Sequence, residues 1–214
     1  MKILIGTPIH QVKDYCMERW LENVAKLQLE YPADLLLVDN SPGLDYVEKI
    51  KGYCKKYGLT KYKMKHLEIT QGKGLGTNFD EEIHERVARS REIIRQEVLS
   101  KNYDAWFSWE CDQIIPTNAL DKLVQLMEAG DFVMVDHNCW ASDVPNQVNF
   151  DFGVSLFKRK CLEKYSFIPA FGTDPDAPNS WYYAEHWFRQ RLLKDRCNYL
   201  EVEGVIEPIF HLNS

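Results

Sequence analysis

The sequence predicts an α/β fold in which a mostly parallel central sheet is flanked by helices, in a Rossmann-like arrangement. Two observations carry this. Apolar runs of strand length alternate with segments of helical spacing to about residue 136. The run at residues 34–39 (Asp-Leu-Leu-Leu-Val-Asp) is wholly apolar between its two acids, as strands covered on both faces are. The length, 214 residues, suits a single domain with a sizeable core.

Each element has its own signal. Residues 2–7 form an apolar strand stopped by a Thr7-Pro8 turn. From residue 14 to about 29, Met17, Leu21, Val24 and Leu27 recur at helical spacing. The 34–39 strand ends in Asp39-Asn40-Ser41-Pro42-Gly43, a strong turn signal. Residues 46–57 follow as a helix with Gly58 as its cap, and residues 63–69 as a more polar strand nearer an edge. Residues 70–78 are the most flexible stretch by composition. Phe79, Ile83, Val87, Ser90, Ile94 and Val98 then mark a long amphipathic helix ending near residue 101. A strand at 104–109, a helix at 117–129 capped by Gly130, and a strand at 131–136 continue the alternation. Beyond, it weakens: loop at 137–147, strand at 150–157, loop at 169–180, helix at 181–196, short strands at 199–209.

Composition excludes several classes. A net charge of −6 leaves no electrostatic footprint for nucleic acid or an anionic membrane. The six cysteines (16, 54, 111, 139, 161 and 197) form no Cys-x-x-Cys pair, so they are expected as reduced thiols of a cytoplasmic protein. No apolar run approaches the roughly 20 residues of a membrane-spanning helix. The opening Met1-Lys2-Ile3-Leu4-Ile5-Gly6 breaks too early for a signal peptide and is expected as a core strand.

The chemistry concentrates where strands end. The segment 104–112 (Asp-Ala-Trp-Phe-Ser-Trp-Glu-Cys-Asp) runs from strand into two carboxylates, Glu110 and Asp112. In extended geometry residues i and i+2 point the same way, so both acids are expected to face one ion. Oxygen ligands suit a hard divalent cation, Mn²⁺ or Mg²⁺, and such an ion commonly carries a diphosphate. If the first, second and fourth strands are parallel, Thr7-Pro8, Asp39 and the Glu110/Asp112 pair share the carboxyl edge, where open α/β sheets bind ligands. Asp39 has the acceptors for a base N–H or a ribose hydroxyl, and it equally suits an Asx-turn onto Ser41. Gly72-Lys-Gly-Leu-Gly76 matches neither a Walker A loop nor a Rossmann fingerprint, and is expected as a connector before the long helix.

This order of motifs resembles the GT-A glycosyltransferases, particularly the family-2-like group. The resemblance rests on Thr7-Pro8, Asp39-Asn40-Ser41, Ala88-Arg89-Ser90, Glu110-Cys111-Asp112, the segment 150–157 (Phe-Asp-Phe-Gly-Val-Ser-Leu-Phe), Glu185-His186 and His211. It implies a transferase that moves a sugar from a nucleoside-diphosphate sugar to a hydroxyl acceptor (a glycan, a protein or a small molecule). Asp112 would hold Mn²⁺ or Mg²⁺, with Glu110 ligating it too or contacting the ribose through water, and His211 adding a nitrogen ligand. Thr7, Pro8 and Asp39 would bind the nucleoside, Arg89 would approach the phosphates or the base-side loop, and Glu185 would be the general base. Residues 1–136 would form the nucleotide-sugar half and residues 137–214 the acceptor half.

The chain departs from the family pattern twice: Glu110 replaces the first Asp of Asp-x-Asp, and the late Glu-Asp reads Glu185-His186. The second change leaves Glu185, His186 or a retaining mechanism without a base. His186 also suits a structural role among Trp181, Tyr182, Tyr183 and Trp187. Trp187 and Phe188 are expected in the core, with Trp181 and Trp140 as candidate stacking surfaces for a sugar ring. Two rivals remain. A nucleotidyltransferase would need a Gly-rich basic loop after the first strand, which Gly6-Thr-Pro-Ile-His10 lacks. A non-catalytic nucleotide- or carbohydrate-binding module needs only the fold.

Overall fold

The computed structural model describes residues 1–68, 79–137 and 152–212. The glycine-rich 72–76 segment and Trp140 lie outside these residues, as do the 70–78 stretch and most of the 137–147 loop.

Seven strands form the main sheet: β1 (Ile3–Ile9), β2 (Asp34–Asp39), β3 (Tyr62–His66), β4 (Ala105–Trp109), β6 (Met134–His137), β7 (Val154–Lys158) and β8 (Tyr199–Val202). Their order is β3-β2-β1-β4-β7-β6-β8. The pairs β3/β2, β2/β1, β1/β4 and β6/β8 are parallel, while β7 runs antiparallel between β4 and β6. The polar β3 lies at an edge, as its composition predicts. The short strands β5 (Gln113–Ile114) and β9 (Phe210–His211) form a separate antiparallel pair that the sequence pattern did not reveal.

Side-chain alternation builds two cores, one on each face of the sheet. Ile3, Ile5, Leu35, Leu37, Phe107, Trp109 and Leu156 face one way. They pack against α1 (Asp14–Glu30), α2 (Asp45–Lys56) and α4 (Ala119–Ala129), which contribute Trp20, Leu21, Ile50, Leu120 and Leu123. Leu4, Leu36, Val38, Trp106 and Phe157 face the other way, toward α3 (Phe79–Ser100), α5 (Arg159–Lys164) and α6 (Ala184–Lys194). Trp187 and Phe188 are buried as expected.

Two local readings need correction, and two helix caps hold. Thr7-Pro8 is no turn, because β1 continues to Ile9. Residues of a parallel strand bond alternately to either neighbour, and the Ile9 carbonyl accepts from Asn40 N–H on the β2 side. Pro8 therefore faces β4, where pairing has already ended at Gly6 opposite Ser108, and its missing N–H costs no ladder bond. Gly58 takes the left-handed conformation (φ +68°) expected just past a helix end. Gly130 caps α4 as expected, its N–H donating to Leu126 O at 3.4 Å, and Asp131 after it takes the left-handed conformation at φ 47°. Gly130 must also be small, because Phe132 lies 2.1 Å from where a Cβ would sit. The predicted 181–196 helix is split, with a 3₁₀ turn at Trp181–Tyr183 leading into α6.

Because β1, β2, β3, β4, β6 and β8 point the same way, their carboxyl ends share one edge. The reversed β7 starts there too: Glu110 N–H donates to Gly153 O at 2.8 Å, and Trp109 is paired with Val154. The Phe152-Gly153 segment is thus brought against the acidic motif.

Candidate functional site

The Glu110-Cys111-Asp112 motif is a tight turn. Gln113 N–H donates to Glu110 O at 3.2 Å, closing the turn between β4 and β5. The expected extended geometry, with both acids on one face, is therefore not what positions them. Each carboxylate instead meets its own cation. Asp112 pairs with Lys13, and Glu110 lies 3.6 Å from the guanidinium of Arg91. Cys111 points into the core, where its hydrogen bond with Cys16 and then burial hold its thiol well above the usual range. The five cysteines among the described residues are free thiols.

The β5/β9 pair brings the tail to this turn. His211 lies opposite Gln113, and Leu212 N–H donates to the Asp112 carbonyl at 2.7 Å. Glu110, Asp112 and His211 are thereby neighbours along two adjoining segments. The donor set, two carboxylates and an imidazole, has the chemistry of a hard to borderline divalent ion. Among the described residues no group of three His, Cys, Asp or Glu is gathered as a ready-made metal cage. The groups are present, and protein cations hold the acids.

Glu185 comes to the same place from the far end of the chain. It lies in the first turn of α6 and pairs with Arg91, only 2% of whose side chain is exposed. One guanidinium on α3 therefore reaches both Glu110 and Glu185, and it lies 5.2 Å from the Phe152 ring. Arg91, like Lys13, is a candidate-site residue that sequence reasoning missed. The signal was available: Ala88, Arg91, Ile94 and Val98 fall on one stripe of α3, and an arginine on a buried stripe requires a partner.

The neighbouring Arg89, expected near the phosphates, lies on the exposed side of α3. It is exposed, donates to Glu85 at 2.7 Å, and stands 5.3 Å over the Trp181 ring. Trp181 also meets Phe171 edge to face at 5.0 Å, and Tyr182 and Tyr183 beside it are exposed. His186 is exposed and contacts Gln190 at 3.1 Å, so it is not packed among the aromatics as its sequence neighbours suggested.

On the β1/β2 side, hydroxyl and carboxylate groups are committed internally. Buried Thr7 donates to Trp109 O at 2.8 Å, tying the ends of β1 and β4. Asp39, fully buried, accepts from Ser41 N–H and Oγ in an Asx-turn and contacts His66 at 2.8 Å. Asn40 donates to Ser90 at 3.0 Å, so the Asp39-Asn40-Ser41 and Ala88-Arg89-Ser90 segments touch. Gln11 N–H donates to Ser41 Oγ at 2.8 Å. His10 caps the following 3₁₀ turn, its Nδ1 accepting from Val12 N–H at 3.2 Å. Burial and then Arg86 hold the His10 imidazole below its usual pKa, although Asp39 opposes them.

No protein-family model and no curated relative matches this sequence. Among solved structures, the chain is similar to the mannosyltransferase PcManGT from Pyrobaculum calidifontis, in complex with GDP-Man and Mn²⁺. The TM-score is 0.64 and identity 13%, covering 95% of this chain and 55% of that one. It is also similar to S. aureus TarS 1–349 in complex with UDP, with TM-score 0.58 and 14% identity, covering 94% and 61% of the two chains. The complex of the same TarS segment with UDP-GlcNAc matches at TM-score 0.51 and 13% identity, covering 77% and 47%. This chain thus spans a little over half of the first two structures. The seven-stranded, mostly parallel sheet and its flanking helices thus form a GT-A-like α/β fold, the fold of these two structures.

Proposed function

We propose that the protein is a metal-dependent glycosyltransferase, moving a sugar from a nucleoside-diphosphate sugar to a hydroxyl acceptor. The observation that carries this is the shared guanidinium of Arg91, which joins the acidic turn after β4 to Glu185 on α6 at the ligand-binding edge of the sheet. Structures of similar fold support it: PcManGT is in complex with GDP-Man and Mn²⁺, and TarS 1–349 with UDP-GlcNAc.

In this reading Asp112, Glu110 and His211 would hold Mn²⁺ or Mg²⁺, which supplies charge neutralisation for a leaving diphosphate. Thr7 and Pro8 form the floor of the nucleoside site. Asp39 serves it indirectly, by orienting Ser41 and His66. Arg89 offers a cation toward the phosphates from the Trp181 side. Glu185 takes the proton of the acceptor hydroxyl, and Arg91 fixes its position. The acceptor half, residues 137–214, presents Trp181 as a face on which a sugar ring can stack. The reduced cysteines suit a cytoplasmic protein.

One observation favours a second reading, nucleotide or carbohydrate binding without turnover: Glu110, Asp112 and Glu185 each face a protein cation. Thermal unfolding with UDP, GDP, CMP and dTDP, each with and without Mn²⁺, tests the donor site. A Mn²⁺-dependent rise in midpoint with one nucleotide, lost in Asp112→Asn, is expected because a ligand of the folded state stabilises it by mass action. No rise with any nucleotide sinks the donor site. Donor hydrolysis or transfer that falls in Glu185→Gln separates enzyme from binding module.

A further inference from the structure

We infer that Lys13 is a built-in counter-cation of the acidic turn, which holds Asp112 in the free protein and passes to the donor diphosphate when that ligand binds. The inference rests on the donor site proposed above and assigns it a residue and a binding order.

The backbone of Lys13 is fixed at the carboxyl edge. It ends the 3₁₀ turn Gln11–Lys13 that follows β1, its N–H donating to His10 O at 2.9 Å. Ser41, itself oriented by Asp39, accepts from Gln11 N–H at the start of that turn. The side chain is a flexible stem ending in a compact ammonium, so the head can move while the turn stays put.

The partner is equally well placed. Asp112 is anchored through its carbonyl by Leu212 N–H. Its side chain is 15% exposed, whereas that of Lys13 is 42% exposed. A ligand arriving from solvent therefore meets the ammonium before the carboxylate.

Charge then dictates an order. A divalent cation approaching Asp112 alone must displace an ammonium or sit beside it, and like charges at such range repel. A diphosphate supplies oxygens that can accept the ammonium, freeing Asp112 for the metal. Metal and nucleotide should therefore bind with positive coupling, and the coupling must be reciprocal.

The test is Mn²⁺ binding followed by the EPR signal of the free ion, with and without UDP or GDP. Wild type and Lys13→Met are compared, with Lys13→Gln in reserve if the methionine variant loses its cooperative melt. Wild type should bind Mn²⁺ weakly alone and about tenfold more tightly with the nucleotide that fits. In Lys13→Met, Mn²⁺ alone should bind about tenfold more tightly than in wild type, and the nucleotide should lose most of its effect. If wild type shows nucleotide-assisted Mn²⁺ binding and the variant matches it in both conditions, the role of Lys13 is overturned and the donor site stands. If neither protein binds Mn²⁺ under any condition, the metal-dependent reading falls and this inference with it.

Discussion

Arg91 and Glu185, 94 residues apart in the chain, form an ion pair that closes the gap between α3 and α6 beside the acidic turn. The guanidinium is almost wholly buried, while the Glu185 side chain is 25% exposed. Breaking a buried pair from one side strands the other charge, which costs about 3–5 kcal/mol. Arg91→Met should fall at the lower end of that range in urea unfolding, since water reaches Glu185. Adding Glu185→Gln should recover part of the loss. Strict additivity in that cycle would show that the pair is not coupled.

Gly6 lies where β1 passes beneath α3. A Cβ there would come within 2.4 Å of Ile94 Cγ2 and 2.6 Å of Trp106 Nε1, and that indole N–H donates to the Gly6 carbonyl at 2.9 Å. Gly6→Ala should destabilise the fold by about 1–3 kcal/mol through overpacking. An unchanged denaturation midpoint would mean that Ile94 and Trp106 yield freely.

His10 makes stability depend on pH. Its Nδ1 must be unprotonated to accept from Val12, and burial and Arg86 hold its folded pKa below the usual 6.5. A depressed folded value means that the unfolded chain takes up the proton first. The stabilisation is therefore complete above 6.5 and is lost as pH falls toward the folded value. Wild type should lose more melting temperature between about pH 7.5 and 5.5 than His10→Asn, which keeps an acceptor. Parallel pH profiles for the two would refute the assignment.

Trp181 should matter to the acceptor alone. If a sugar ring stacks on its face, Trp181→Ala should raise the acceptor KM about tenfold, the equivalent of about 1.4 kcal/mol, and leave the donor KM unchanged. Steady-state kinetics with each substrate varied in turn separates the two. A change confined to the donor would place Trp181 beside Arg89 on the phosphate side.

The elements that were legible in sequence are those with a strong period. The alternation of β1, α1, β2, α2 and β4 appears in the spacing of Ile3, Trp20, Leu36, Ile50 and Trp106, because each side chain has one face on which to be buried. Glu110 and Asp112 could be placed at the ligand edge for the same reason. Their geometry could not, since a turn closed by Gln113 N–H aims side chains that strand alternation would have paired. Arg89 was preferred over Arg91 because it fitted a short motif, whereas helix periodicity buries Arg91 and leaves Arg89 outside. The β5/β9 pair escaped notice because two-residue strands carry no period.

By itself, then, the sequence determined the α/β alternation, the two apolar faces of the sheet and the acids that terminate its strands, all of which follow from local burial and turn chemistry. Only the tertiary structure decided which charges meet. The antiparallel insertion of β7 puts Gly153 beside Glu110, the tail pairs His211 with Gln113, and α3 and α6 bring Arg91 to Glu185. The turn after β1 hands Lys13 to Asp112. These are contacts between segments distant in the chain, fixed by packing at the shared edge, and periodicity within a segment does not encode them.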